Sequence, residues 1–456
     1  MEAQLWKACW DGEVEEVIKL LQNEQININW HNFGLERTPL YIACFKGHLE
    51  IVKLLLNDQR ANVNKSDKYD CTPFYIACSQ EHIEIVKLLL SDERVDVNKA
   101  LDCGLTPFYS ACEKGHLEIV KLLLNDNRID VNEINDEGGT PFYIACCNGQ
   151  TEIVKLLLND IRVDINPPNG SSFTPFFIAC QFRHIEVVKL LLNDKRVDMS
   201  QVNNNEETPF CVACHKGQIE IVKLLLNDNR IDFNKARISG ETPFYIACQN
   251  GYIEIMELLR NDERIDINKA SNDGATPFYI ACGKGHVEIV KLLLNDERID
   301  VNKTNKYGCT PFFIACQCGQ IEIVKLLLND ERVDINKAYV DDHTPFYVAC
   351  AYGHIESVKL LLNDKRVDIN KVDKHGCTPF NIACYKGQIE IVKHLLASGK
   401  EIDVNKKDND EKTGLDWARE RECGKIVELI ESFERNPIET IFQLRVQLGL
   451  AGKSLF

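Results

Sequence analysis

The sequence predicts an all-α solenoid assembled from short helical hairpins. The dipeptide Thr-Pro occurs eleven times at a constant spacing of 34 residues, from Thr38 to Thr378. Each interval contains two apolar stretches, and neither reaches the roughly 12–15 residues at which an isolated helix becomes marginally stable. The units must therefore stack and bury one another's apolar faces, which produces a linear array.

The first helix of each unit is expected to begin at Thr-Pro. In the unit that starts at Thr72, the threonine can cap the helix, and Pro73 fits the first helical position, where its missing N–H costs nothing. Glycine usually follows this helix because it tolerates the left-handed conformation of a helix end. Glu81 and Arg183 replace that glycine, so we expect each to strain the backbone by about 1 kcal/mol.

The second helix of the same unit, HIEIVKLLL, has one apolar face. Val86, Leu89 and Leu90 share this face, which predicts burial against neighbouring units. Glu84 and Lys87 are spaced for an ion pair along the helix surface. The segment is therefore expected to be an amphipathic helix that lies against the first one.

The turn after the second helix carries a column of charged residues. Asp92, Arg94 and Asp96 form one instance, and the pattern recurs in most units. Because stacked arginines repel one another, we interpret the aspartates on both sides as a neutralising ladder. The alternative is a solvated edge that contributes little stability.

This pattern resembles the ankyrin repeat, which reads T-P-L-H-x-A-A, then G-H-x-x-I-V-x-x-L-L, then D-V-N. The resemblance covers about 430 residues and implies an all-α ankyrin-repeat solenoid, elongated and curved, in which stacked helix-turn-helix units alternate with β-turn or hairpin loops. Thirteen units at about 10 Å each give a length on the order of 130 Å. The expected divisions are a capping repeat at 1–37, eleven full repeats at 38–412, a degenerate capping repeat at 413–432 and a helical tail at 433–456.

One departure from the family concerns contacts between repeats. Most units carry Phe-Tyr or Phe-Phe where the family has Leu-His, as at Phe74 and Tyr75. The change removes the imidazole that the family uses to bond between neighbouring repeats. The tail is expected to form a helix that caps the last repeat, or else a short motif for a second partner.

Cysteine is unusually frequent, with 20 residues in the chain. Twelve occupy the column after the helix alanine and are expected to be small buried hydrophobes. Stacked helices are roughly 8–10 Å apart, which exceeds the reach of a disulfide. Cys71, Cys309 and Cys377 precede Thr-Pro and are expected to be more exposed. We expect reduced thiols and a cytoplasmic location, since the N terminus lacks a signal-peptide pattern.

The net charge of −16 disfavours nucleic acid and anionic membrane surfaces as partners. No apolar run approaches the roughly 18 residues needed to span a bilayer. Nucleotide-binding, hydrolase and metalloprotease motifs are missing from the sequence, so we expect no enzyme, no catalytic residue, no cofactor and no metal.

Two short matches to cofactor motifs are interpreted as coincidental. Cys211, Cys214 and His215 match C-x-x-C-H, a haem attachment pattern, but Cys214 belongs to the cysteine column. The segment that begins at Asp408 resembles the start of an EF-hand loop but has Lys412 where an oxygen ligand belongs.

The resemblance implies a protein-binding surface formed by the loop tips and the ends of the first helices, which line a concave groove. The candidate contacts are Tyr69, Phe182, Arg183, His215, Tyr307, Tyr352, His375 and Tyr385. Tyr307, Tyr352, His375 and Tyr385 fall in three consecutive units and form the preferred patch. Aromatic and lysine residues at such positions suggest a partner with some acidic character.

The expected function is a non-catalytic scaffold or adaptor that acts as a monomer and binds a partner protein through this groove. A spacer without a specific ligand is one alternative. The other is a regulatory or inhibitory subunit of an enzyme.

Overall fold

The computed structural model describes residues 1–450, and the part of the predicted tail at 451–456 lies outside them. The described residues form 27 helices and no strand, so the predicted all-α solenoid is confirmed. They belong to two compact units, Met1–Asp232 and Phe233–Phe456. Each unit consists of consecutive helix pairs.

The first unit contains seven helix pairs. They are α1 (Glu2–Asp11), α2 (Val14–Leu21), α3 (Pro39–Lys46), α4 (Leu49–Asn57), α5 (Pro73–Ser79), α6 (Ile83–Leu90), α7 (Pro107–Lys114), α8 (Leu117–Leu124), α9 (Pro141–Cys147), α10 (Thr151–Leu158), α11 (Pro175–Gln181), α12 (Ile185–Asn193), α13 (Pro209–His215) and α14 (Ile219–Leu226).

The second unit contains six helix pairs and a final single helix. They are α15 (Pro243–Asn250), α16 (Ile253–Arg260), α17 (Pro277–Lys284), α18 (Val287–Leu294), α19 (Pro311–Gln317), α20 (Ile321–Leu328), α21 (Pro345–Tyr352), α22 (Ile355–Asn363), α23 (Pro379–Tyr385), α24 (Ile389–Ala397), α25 (Gly414–Glu420), α26 (Gly424–Arg435) and α27 (Pro437–Gln447).

The helix ends follow the local sequence signals. Thr72 Oγ1 accepts a hydrogen bond from the Tyr75 amide at 3.0 Å, and Pro73 occupies the first turn. Gly47 ends α3 with φ at 79°. Glu81 and Arg183 adopt φ of 60° and 62°, which confirms that these two non-glycine residues hold the left-handed conformation expected of the glycine they replace.

The core lies between the paired helices. The phenylalanine that follows ten of the eleven Thr-Pro pairs is almost fully buried, as at Phe74 and Phe142. The second helix contributes residues such as Val86 and Leu89, both at 0% exposure. Glu84 and Lys87 form the predicted surface pair at 2.7 Å. The tyrosine that replaces the family histidine still bonds to the following repeat, because the Tyr143 hydroxyl accepts from Asn169 Nδ2 at 3.1 Å.

The charged turns differ from the predicted ladder. Of the two flanking aspartates, the Arg94 guanidinium contacts only the preceding one, Asp92, with Nη2 2.6 Å from Oδ2. The same nitrogen also donates to the Leu56 carbonyl at 2.8 Å. Asp96 Oδ1 accepts instead from the Asn98 amide. Arg94 therefore joins its own turn to the C-terminal end of a helix in the preceding repeat, where carbonyls lack partners within the helix.

Asparagine makes a second connection between neighbouring turns. Asn64 Nδ2 donates to the Arg94 carbonyl at 2.7 Å, and Asn64 Oδ1 accepts from the Asp96 amide at 2.8 Å. The same pair of bonds recurs one repeat later, from Asn98. These bonds satisfy backbone groups of the turn without any strand pairing.

The cysteine column is buried as predicted. Its members have relative exposures of 0%, and every cysteine of residues 1–450 is a free thiol. Cys71 and Cys309, at 7% exposure, are more exposed than the column but still buried. The exposed thiols are Cys103 and Cys318, which repeat periodicity does not identify.

Native-state alkylation should separate these two classes of thiol. Iodoacetamide is expected to modify Cys103 and Cys318 first, because thiolate formation and access both limit the reaction. The column should react only after unfolding, since burial raises the pKa of its thiols, to about 12 at Cys9. Peptide mapping by mass spectrometry measures the order of modification. Early labelling of the column in folded protein would contradict its burial.

The last helix, α27, packs against α24 and α26, the second helices of the two preceding pairs. Asn436 Oδ1 accepts from the Glu439 amide at 3.3 Å and so caps the start of α27. Helix α26 continues to Arg435, beyond residue 432 where the degenerate repeat was expected to end. Thr440 and Leu444 face α24 and α26, whereas Phe442 is exposed.

Candidate functional site

The tips are the turns that precede the first helix of each repeat. In the tip before α19, the side chain of Asn305 accepts two hydrogen bonds that shape the turn. Asn305 Oδ1 accepts hydrogen bonds from the amides of Tyr307 and Cys309, both at 3.0 Å. This turn fixes the backbone of Tyr307 while its side chain remains 46% exposed. The tip therefore presents an aromatic ring at low conformational cost.

Tyr307 and Tyr352 line the same groove in the second unit. We call it the aromatic groove and define it by Tyr307, Phe313, Tyr339, His343, Tyr347 and Tyr352. It encloses about 760 Å³ between a tip, α19, the following tip and α21. Two of the four residues of the predicted patch are thus brought together here.

Four of these rings form a continuous series. Phe313 and Tyr339 have ring centres 5.6 Å apart, Tyr339 and His343 are 6.2 Å apart, and His343 and Tyr347 are 4.5 Å apart at an interplanar angle of 6°. The series connects one first helix to the next through the tip. Phe313 and Tyr347 are buried, at 3% and 5% exposure, so Tyr339 and His343 provide the accessible part of the series between them.

The series is anchored at a buried carboxylate. The Tyr347 hydroxyl donates to Asp373 Oδ2 at 3.0 Å, and His343 Nε2 lies 3.5 Å from the same oxygen. Burial, with the nearby Cys377 and Asp373, raises the pKa of Tyr347 well above its usual range. Tyr347 therefore remains a hydrogen-bond donor and is held in one position.

His375 and Tyr385 lie in the adjacent cavity, which encloses about 240 Å³. We call it the acidic pocket and define it by Tyr347, Asp373, Tyr385, Asp408, Asp410 and Trp417. The rings of Tyr385 and Trp417 are perpendicular, at 87°, with centres 5.1 Å apart. Tyr347 lines both cavities, so all four residues of the predicted patch belong to two neighbouring sites.

The other predicted contacts belong to Met1–Asp232. Tyr69 is half exposed at a tip, with Lys68 Nζ 4.9 Å from its ring centre. Phe182 and Arg183 lie at the turn after α11, and Arg183 Nη2 pairs with Glu220 of α14 at 2.9 Å. His215 is exposed at the end of α13, 3.8 Å from Glu207.

Two lysines of the tips next to the aromatic groove are paired within the chain. Lys306 Nζ is 2.5 Å from Asp273 Oδ1 of the preceding tip, and Lys374 pairs in the same way with Asp341. These cations are neutralised before any partner arrives. These two lysines thus give no support to the expected acidic character of the partner.

The family model "Ankyrin repeats (3 copies)" matches residues 5–100, 93–169, 176–271, 263–339 and 331–408. A second model, "Ankyrin repeats (many copies)", matches residues 149–192. The chain belongs to the ankyrin repeat family. A comparison with curated proteins gave no match. Ankyrin repeats are generally protein–protein interaction modules, and no helix among residues 1–450 of this ankyrin repeat protein is long and apolar enough to cross a membrane.

Three aromatic residues of the aromatic groove and the acidic pocket were not among the contacts predicted from the sequence. Tyr339 occupies the tip position that is Asn305 one repeat earlier, and His343 occupies that of Cys309. Trp417 belongs to the degenerate last repeat and donates through Nε1 to Asp408 at 2.6 Å. At Tyr339 the available signal was an aromatic residue in a column that carries Asp, Leu, Asn, Arg or Ser in the units from Thr72 to Thr310.

A further aromatic cluster lies at the start of the ankyrin repeats. Trp6 and Trp10 are stacked with ring centres 5.4 Å apart, and Lys46 Nζ lies 4.0 Å from the Trp10 ring centre. The sequence places Trp10 and Phe45 at equivalent positions after the helix cysteine. The cluster therefore extends the row of candidate contacts to the first repeat.

The two coincidental motifs have structural roles. Cys211 and Cys214 are buried at 1% and 0% exposure, where a haem edge cannot reach both sulfurs. Asp408 Oδ1 accepts from the amides of Asp410 and Lys412, so this carboxylate closes a tip. Among residues 1–450, no group of three His, Cys, Asp or Glu side chains is arranged to hold a metal ion.

Proposed function

We propose that this chain is a non-catalytic scaffold or adaptor that acts as a cytoplasmic monomer and binds a partner protein through the tips and first helices of its repeats. The aromatic groove is the principal contact surface. The observation that supports this most directly is the pre-ordered ring series of Phe313, Tyr339, His343 and Tyr347, flanked by the exposed rings of Tyr307 and Tyr352.

Energetics favour this groove as a site of recognition. Tyrosine supplies a large contact area with few rotatable bonds, and interface residues that dominate affinity are enriched in aromatic side chains. The Tyr347 hydroxyl is fixed by Asp373, so little side-chain entropy remains to be lost there on binding. Exposed hydroxyl groups at Tyr307 and Tyr352 add hydrogen-bonding capacity at the edges.

The electrostatics favour a partner surface that is neutral or basic. The chain carries a net charge of −16, and the tip lysines next to the groove are already paired with aspartates. Acidic chains repel polyanions, so nucleic acid is not a proposed partner. Complementary charge would increase the association rate with a basic protein.

Affinity purification from a lysate tests the proposal. We expect wild-type protein to retain a stoichiometric partner, and the triple variant Tyr307→Ala, Tyr339→Ala, Tyr352→Ala to bind it at least a hundredfold more weakly, because each hot-spot ring contributes about 2 kcal/mol or more. Surface plasmon resonance with the captured partner measures the change. Tyr385 is left intact because it also contacts Arg421 and Trp417.

The control is Ile161→Ala, which removes an exposed side chain from the turn after α10, outside the tips and the first helices. It should leave the affinity unchanged. Undiminished binding by the triple variant would show that another surface is used. If no partner is retained by wild-type protein, a spacer role is favoured, and if the retained partner is an enzyme that is inhibited by the chain, the regulatory alternative is favoured.

A further inference from the structure

One histidine stands in a column that is leucine in every other full repeat. His394 lies in the last turn of α24. The ten preceding second helices carry leucine at this position, from Leu54 to Leu360 at intervals of 34 residues. A titratable side chain therefore replaces an apolar one at a single point of the array.

The same position also differs in burial. All ten leucines are half-buried, whereas His394 is only 7% exposed. The difference arises because α27 packs against α24 in addition to its neighbours within the repeats. The last helix thus removes this one imidazole from water.

The imidazole of His394 borders a cavity and has no partner. The cavity encloses about 450 Å³ between α22, α24 and the C-terminal half of α27, and its wall includes Lys359 and Arg445. Among residues 1–450, no hydrogen bond or ion pair reaches the ring of His394. A buried polar group without a partner is costly, and the cost increases when the group becomes charged.

Charged side chains lie on α24 and on the helices packed against it, except for its uncharged partner α23. They are Glu390 and Lys393 of α24, Glu356 and Lys359 of α22, Lys425 and Glu428 of α26, and Arg445 of α27. The residues of α22 and α24 form ion pairs within their own helices, at 2.6 and 2.7 Å. Arg445 Nη1 donates to the Ala397 carbonyl at 3.3 Å and adds positive charge to the cavity wall.

These surroundings favour the neutral imidazole. Burial, together with the positive charge of Lys359, lowers the pKa of His394 below its ordinary value of 6.5. The last turn of a helix favours a cation, and the carboxylates of Glu390 and Glu356 act in the same direction, but burial outweighs them. Protonation of His394 therefore opposes the packed arrangement of α27.

We propose that His394 couples the docking of α27 to pH, and that mild acidification releases this helix from α24. Release opens the cavity and returns the imidazole to water, where its charged form carries no burial cost. The released state binds the proton more readily, so the stability of docking is fully present above about pH 6.5 and is lost as the pH falls through the lowered pKa of His394. The coupling does not depend on which partner occupies the aromatic groove.

Hydrogen exchange of the full-length protein measures the docking of α27. Mass spectrometry gives the protection factor of the α27 amides, corrected for the intrinsic exchange rate at each pH, between about pH 7.5 and 5.0. We expect this protection factor to fall at least threefold in the wild type. The amides of α10 should keep their protection, because aspartates of the turns such as Asp160 have a pKa below 3.8.

His394→Leu introduces the residue that the other repeats carry. It should hold the protection factor of α27 constant to within about twofold over the same pH range. Leu292→His is the matched control, because it places a histidine in the same column three repeats earlier, where the leucine is half-buried. It should leave the pH dependence of α27 as it is in the wild type.

An NMR titration of the His394 ring provides an independent measurement. The Cε1–H resonance is assigned with His394→Leu, and its midpoint is expected below 6.5. Leu444→Ala removes a buried side chain of α27 and so weakens docking. Because linkage is reciprocal, this variant should raise the midpoint of His394 towards 6.5.

A protection factor of α27 that stays constant with pH in the wild type would overturn the proposal. An equal loss of protection in His394→Leu would do so as well, since it would assign the pH sensitivity to another group. A His394 midpoint that Leu444→Ala leaves unmoved would show that docking of α27 does not control the protonation of the imidazole.

Discussion

Replacement of Phe142 with alanine is expected to lower the free energy of unfolding by about 3–5 kcal/mol. The side chain has 0% exposure and fills the space between the paired helices of its own repeat and those of its neighbours. Alanine would leave a cavity that the short helices cannot close without losing their packing. Urea denaturation followed by circular dichroism at 222 nm measures the change.

Phe142→Leu is the matched control. Leu40 occupies the equivalent position three repeats earlier and is buried at 4% exposure, so the fold already accommodates leucine there. The free energy of unfolding is expected to change by about 1.5 kcal/mol or less when one large apolar side chain replaces another here. If Phe142→Ala lowered the free energy of unfolding no more than Phe142→Leu does, the phenylalanine column would not be the main source of core stability.

Acidification is expected to destabilise the protein through the aspartate–arginine turns. Ten turns contain the same pair, with Asp160 and Arg162 as an example at 2.6 Å. The side-chain hydrogen bond from Arg162 lowers the pKa of Asp160 below its ordinary value of 3.8. The same cause lowers the pKa of the other nine aspartates.

The direction of the pH effect follows from this shift. A carboxylate whose pKa is lower in the folded state contributes its stabilisation fully above its unfolded pKa, which is about 3.9. The contribution is lost as the pH falls from there through the folded pKa. Each pair is partly exposed and is expected to contribute about 0.5–1 kcal/mol, so ten pairs together account for several kcal/mol.

Asp160→Asn isolates one pair. It should lower the free energy of unfolding by about 0.5–1 kcal/mol at pH 7, and the difference from wild type should shrink as the pH falls below about 3.9 and through the lowered folded-state pKa of Asp160. Glu118→Gln, which alters an exposed helix pair with Lys121, serves as the control and should leave the pH profile unchanged. An Asp160→Asn difference that persisted at low pH would show that packing, and not charge, explains its effect.

Much of the architecture follows from local signals that the sequence repeats. Thr72 and Pro73 specify a helix start through a side-chain acceptor and a missing donor, and these groups act within four residues. The register of the repeats likewise identified Glu81 and Arg183 as residues forced into left-handed backbone. Such features depend on residues that are close together in the sequence, and for that reason the sequence was sufficient to predict them.

Only the tertiary structure decided which side chains meet across repeats. The partner of Arg94 is a carbonyl at Leu56, 38 residues earlier, and the tip lysines were found to be neutralised by aspartates of the preceding tip. The ring series from Phe313 to Tyr347 and the hydrogen bond from the Tyr347 hydroxyl to Asp373 depend on how neighbouring repeats are stacked. Periodicity determines that two repeats are adjacent, but rotamers and small displacements within a few ångströms determine which atoms touch, and these are set by packing.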